Sequence, residues 1–113
     1  MPFIDSKITV SVSEEKKEKI KSEFGKAISI LHKPESYLMV GINDSYDLWF
    51  AGKKLEKGAY VSVDVFGDVS ASDSNKMSGA ICEILTKELD IPGDKIYVEY
   101  RGTHNWGWNG NNF

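Results

Sequence analysis

Cysteine is nearly missing: Cys82 is the only one among 113 residues. That excludes an internal disulfide framework and a CxxC redox or zinc motif, and it fits a reducing compartment. No apolar run approaches the roughly 20 residues of a membrane span. The N-terminal stretch has neither the basic nor the apolar region of a secretory signal. A cytoplasmic location without a membrane partner is therefore expected. Positive charge is not in excess either. Lys and Arg number 14 against 17 Asp and Glu, for a formal net charge of -3, and no basic stripe relieves it, which argues against nucleic acid as a partner. The only histidines, His32 and His104, lack metal-ligand spacing, so no metal is expected. Proline is scarce at three residues, and each one punctuates: Pro2 precedes a strand pattern, while Pro34 and Pro92 bound helix patterns.

What is present reads as one globular domain over residues 1–113, long enough to bury roughly 65% of its unfolded surface. Phe3 to Val10 is rich in β-branched and aromatic residues and reads as a strand. Ser11 with Glu14 fits a capping box. Ile20, Phe24, Ala27, Ile28 and Leu31 then recur at helical spacing until Pro34. "SYLMVGI" predicts a mostly buried strand and "DLWFAG" a shorter one. In "AYVSVDVF", Ala59, Val61, Val63 and Val65 alternate with Tyr60, Ser62, Asp64 and Phe66, the pattern of a half-buried strand. Met77, Ala80, Ile81, Ile84, Leu85 and Leu89 mark a second helix, and "KIYVEYR" a last strand.

An internal repeat supports a fold class. "LHKPESYLMV" lies over "LDIPGDKIYV", with Leu31 on Leu89 and Pro34 on Pro92 at equivalent helix-to-strand junctions. Two strand-helix-strand halves predict an α/β fold of the two-layer α+β kind, with a four-stranded sheet covered on one face by both helices. Right-handed crossovers make the strands within each half parallel. The other face, with Tyr60, Phe66, Trp49 and the "HNWGWNGNNF" tail, is expected to be covered by oligomerisation.

Pro2 has two readings. A proline lacks an amide hydrogen, so the first residue of a strand suits it. If Met1 is removed, its nitrogen is instead a secondary amine. An amine terminus titrates near ~7.7–8.0, and an apolar pocket or a neighbouring cation lowers that value, leaving a neutral general base at pH 7. Lys33, at the end of the first helix, either complements the helix dipole or supplies that cation and binds a carboxylate.

Taken in order, the initial "MP", "HKPESYLMV", the alternating strand ending "VFG", "ELDIPGDKIYVEY" and the closing "GWNGNNF" resemble the macrophage migration inhibitory factor family of the tautomerase superfamily. The likeness covers nearly the whole chain. It implies a homotrimer with active sites between neighbours and a cofactor-independent keto–enol tautomerisation of phenylpyruvate-like 2-keto acids or dopachrome-like compounds. Pro2 corresponds to the catalytic base, Lys33 to the carboxylate-binding lysine, and Phe66 to the residue whose backbone amide meets the substrate. Tyr97 corresponds to the tyrosine given by the adjacent subunit. Tyr37, Trp108 and Phe113 match residues that line or border the pocket, and Phe3 and Trp106 sit at further pocket positions.

The chain also departs from the best-known members. Glu99 replaces an asparagine and would repel an anionic substrate or pair with Lys33. Arg101 replaces a tyrosine and would either restore positive potential or be a solvated surface residue. Gly58-Ala59-Tyr60-Val61 replaces a CxxC stretch, so thiol-oxidoreductase activity is not expected. The rival reading is a cytokine-like protein that binds a protein receptor, with weak or no catalysis, and with secretion lacking a signal peptide left open.

Overall fold

The computed structural model describes residues 1–113. Strand β1 (Pro2–Ile8) begins the chain and buries alternate residues, with Pro2, Ile4, Ser6 and Ile8 inward. It stops two residues short of Val10. Helix α1 (Glu14–Ala27) follows and tightens into a 3-10 turn, Ile28–Leu31. The helix is capped two residues later than the sequence pattern predicts. Ser13, not Ser11, is the N-cap, and its hydroxyl accepts a hydrogen bond from the Lys16 amide at 3.1 Å. Asp44 accounts for the difference: its carboxylate takes the Val12 amide at 2.9 Å and holds the chain extended through that point.

Strand β2 (Met39–Asn43) is less buried than the apolar run suggests, because it lies at a sheet edge. "DLWFAG" does not join that sheet. Trp49–Phe50 (β3) and Lys53–Lys54 (β4) instead form a small hairpin of their own, turned by Ala51 and Gly52 at φ 52° and 79°. Strand β5 (Ala59–Phe66), helix α2 (Ala71–Leu89, capped by Ser70) and strand β6 (Ile96–Thr103) form the second half. The tail is a second hairpin, Gly107–Trp108 (β7) with Asn111–Asn112 (β8). Asn109-Gly110 makes its turn with both residues at positive φ, the conformation that favours this pair.

The main sheet runs β2-β1-β5-β6, with β1–β2 and β5–β6 parallel and β1–β5 antiparallel between the halves. The repeat persists at atomic detail. Both helices end in a left-handed residue, His32 at φ 60° and Asp90 at φ 57°, each two places before a proline that opens a short 3-10 turn. Both helices cover one face, and Val61, Val63, Val65, Phe24, Ile81 and Leu85 meet there with no exposure. Glu88 of α2 is almost wholly buried and joins the two helices, answered by Lys16 at 3.0 Å and Lys19 at 3.8 Å from α1 and by Lys87 at 3.7 Å.

The cap assignment has a direct test. Ser13→Ala is expected to lower stability by about 1 kcal/mol, and Ser11→Ala to leave it within about 0.5 kcal/mol. Urea unfolding at one fixed protomer concentration measures both.

Candidate functional site

The site is built around the end of β5. An alternating strand brings Phe66 to the edge of the core, and Gly67 ends the strand at φ 99°, a conformation that favours glycine. Strand β6 crosses this turn closely. A Cβ on Gly102 would stand 2.3 Å from the Gly67 carbonyl oxygen, and the Gly67 amide donates to Thr103 O at 2.8 Å. The turn directs the backbone groups of Phe66 to two partners. Its N–H donates to the carbonyl of Met1 at 2.9 Å, and its carbonyl accepts from Lys33 Nζ at 2.9 Å. Lys33 reaches that point because the left-handed His32 ends the helical segment and turns the chain back toward the sheet.

Burial and the Lys33 ammonium together lower the pKa of the Met1 amine, because each disfavours a second positive charge. Pro2 itself is buried beside this amine. A cleft of about 620 Å³ opens here, lined by Pro2, Phe3, Tyr37, Met39, Trp106 and Trp108 among others. Tyr37 meets Trp108 edge to face at 6.2 Å between ring centres. Phe113 stacks on Trp108 at 6.4 Å and approaches Phe66 at 5.3 Å. The Phe113 amide donates to Trp106 O at 3.0 Å, which closes the tail hairpin on itself. Met39 is a lining residue the sequence reading missed. Only the parallel register, which sets it opposite Phe3, brings it there.

Thus Pro2, Phe3, Lys33, Tyr37, Phe66, Trp106, Trp108 and Phe113 gather at one end of the sheet. Tyr97 and Glu99 do not join them within the chain, and Arg101, though level with Phe3 two strands away, is paired with Glu99. Pro2 stands opposite Val65 and, through it, level with Gly102, whereas Tyr97 is level with Lys7. Five residues of strand separate the two, about 17 Å. Glu99 does not pair with Lys33 either. It accepts from the Tyr60 hydroxyl and from Arg101 Nε at 2.8 Å, and these partners hold its carboxyl below the usual range. The Arg101 charge is therefore engaged by Glu99. His104 and Asp68 pair at 3.2 Å at the rim.

The family model for macrophage migration inhibitory factor matches residues 1–113. The chain belongs to the macrophage migration inhibitory factor family. It is 30% identical to macrophage migration inhibitory factor of Xenopus laevis over 83 residues, 72% of this chain and 71% of that one. A macrophage migration inhibitory factor homolog of Trichinella spiralis is 31% identical over 87 residues, 75% of each chain. The crystal structure of Leishmania major MIF2 superposes with a TM-score of 0.93 at 34% identity, covering 100% of this chain and 97% of that one. Macrophage migration inhibitory factor membership thus extends over the sheet, both helices and the aromatic tail hairpin. No helix of the chain is long and apolar enough to cross a membrane.

Lys33 acts on the terminal amine through its charge, while its hydrogen bond goes to the Phe66 carbonyl. Lys33→Met is therefore expected to raise that amine's pKa toward its ordinary value, because the cation opposing protonation is gone. Titration of the terminal nitrogen by ¹⁵N NMR reads the shift, and an unmoved pKa would leave burial as the sole cause.

Proposed function

We propose that the protein is a cofactor-independent keto–enol tautomerase of phenylpyruvate-like 2-keto acids, with dopachrome-like compounds as the related class. Pro2, made terminal by removal of Met1, is its general base. The observation that carries the reading is the occupancy of the Phe66 amide. With Met1 in place, the Met1 carbonyl oxygen accepts that N–H at 2.9 Å. Removing Met1 frees the Pro2 nitrogen and uncovers the Phe66 N–H in the same step. A substrate oxygen can then take the position the Met1 carbonyl had.

The chemistry is a proton transfer. Neutral Pro2 accepts the enol hydroxyl proton and returns a proton to the neighbouring carbon, or runs the reverse. Lys33 is half-buried and spends one hydrogen bond on Phe66 O, so its ammonium has further N–H groups to hold the substrate carboxylate. Lowering the amine pKa and binding the anion are two results of one charge. Tyr37, Trp106, Trp108 and Phe113 give an apolar, aromatic wall suited to a phenyl ring.

Tyr97 fits this site only from another copy of the chain, since its own strand carries it about 17 Å from Pro2. The uncovered sheet face, on which Tyr97 is 63% exposed, suits a homotrimer with sites between neighbours. Tyr37, Met39, Trp108 and Phe113 are each more than half exposed, and that apolar rim also favours a second reading, a cytokine-like surface for a protein receptor. The two part at Pro2, because an acylated proline nitrogen has no basic lone pair while a docking surface tolerates a retained Met1.

The test starts from the intact mass, which shows whether Met1 is present. Enol-to-keto conversion of phenylpyruvate by the processed protein is then compared with Pro2→Gly. A loss of about 10²–10⁴-fold is expected for removal of a general base. Equal rates in the two proteins would overturn the catalytic role of Pro2.

A further inference from the structure

The β3–β4 hairpin is an unexplained element. It contains only the pairs Trp49–Lys54 and Phe50–Lys53, extended by a hydrogen bond from the Leu55 amide to Leu48 O at 2.9 Å. A ladder this short does not stand by itself in water. What anchors it is Phe50. The Phe50 ring meets Tyr97 edge on, with centres 5.6 Å apart and planes at 61°. Lys95 Nζ lies 4.9 Å from the Phe50 ring centre, so the ring is in reach of an ammonium as well as a phenol. Leu48, Leu55 and Ala59 line the small apolar cavity of about 270 Å³ beneath it.

Tyr97 gains from this contact what its own strand cannot give. It projects from β6, an edge strand, onto the uncovered sheet face and is 63% exposed. A phenol so placed swings its hydroxyl by several ångströms between rotamers, and misplacing a substrate-positioning group by about 1 Å costs on the order of 10²-fold. An aromatic edge against one side of the ring restricts that freedom.

We propose that Phe50 is a positioning residue for the reaction. It fixes the direction in which Tyr97 leaves the sheet, so that the hairpin of one protomer presets the cleft of the next. This rests on the tautomerase reading above. The hairpin is then part of the site without touching substrate.

A double-mutant cycle tests it. Phe50→Ala is expected to raise KM for phenylpyruvate about three- to tenfold, the worth of one aromatic pair. The pH profile of kcat, set by Pro2, stays in place, and Phe50→Tyr restores KM. In a Tyr97→Ala background, Phe50→Ala should add no further loss. Losses that multiply equally in both backgrounds would overturn the proposal, as would an intact KM in Phe50→Ala when Tyr97→Ala alone raises it. Assembly mass and thermal midpoint monitor folding in every variant. A second readout needs no turnover. In protein labelled with 3-fluorotyrosine, the Tyr97 ¹⁹F signal, assigned with Tyr97→Phe, should move toward that of free fluorotyrosine on Phe50→Ala. An unmoved signal overturns the positioning role. A processed wild type inert toward phenylpyruvate would overturn the tautomerase reading instead, and the ¹⁹F signal would then decide alone whether Phe50 holds the ring.

Discussion

The Phe66 backbone is the junction on which the candidate site depends. Its N–H and its carbonyl each have a partner at 2.9 Å, the Met1 carbonyl and the Lys33 ammonium. Neither contact forms unless β5 ends where it does. That end is set by Gly67 at positive φ and by the close passage of Gly102, where any side chain would meet the Gly67 carbonyl. The strand pairing holds the other half of the arrangement, since β1 and β5 run antiparallel and bring Pro2 opposite Val65. Two strands, one turn and one lysine thus converge on a single residue, and a change at any of them is transmitted through the backbone.

The repeated halves explain why there is one such junction per chain and not two. His32 and Asp90 are equivalent left-handed residues, and Pro34 and Pro92 follow at the same distance. The residues between them differ: Lys33 in the first half, and in the second Ile91, which is fully buried. The same backbone path delivers an ammonium to one strand end and an apolar side chain to the core at the other. The outer strands show a parallel divergence. Met39 and Tyr97 hold equivalent places on the uncovered face, yet Met39 borders its own chain's cleft and Tyr97 stands far from it.

Much of this was legible in the sequence because local pattern and tertiary context agree there. The strict alternation of β5, the apolar spacing of α2 and the paired prolines each require one conformation, and each forms. Local pattern fails where a distant group decides. Asp44 takes the Val12 amide and moves the helix start to Ser13, a contact across 32 residues with no local signature. β2 reads as buried because it is apolar, but its place at the sheet edge comes from strand order. "DLWFAG" has strand composition, yet Gly52 and Ala51 turn it at once into a separate hairpin. Among the candidate site residues, those at the β1 and β5 ends stand together, while Glu99 pairs with Arg101, two residues on along the same strand face, and with Tyr60 of the neighbouring strand.

On the tautomerase reading, with Glu99 brought to the cleft of a neighbouring copy, its charge bears on the substrate as well. An isolated carboxylate beside a bound 2-keto acid opposes it by about 1 kcal/mol at 4 Å in water and by several times that at a protein surface. In this chain the carboxylate is not isolated. Arg101 Nε lies 2.8 Å away and the Tyr60 hydroxyl donates from the other side, so the group meets its surroundings as an ion pair with a bound phenol. The field of such a pair falls off faster than that of a single charge. Arg101 in turn cannot act as a free carboxylate receptor while Glu99 holds it. The two charges offset one another, and Lys33, whose charge reaches the terminal amine, is left with no carboxylate partner of its own. On the tautomerase reading, the departure at position 99 therefore changes the shape and polarity offered to the far end of a substrate without cancelling the attraction that brings its carboxylate to Lys33.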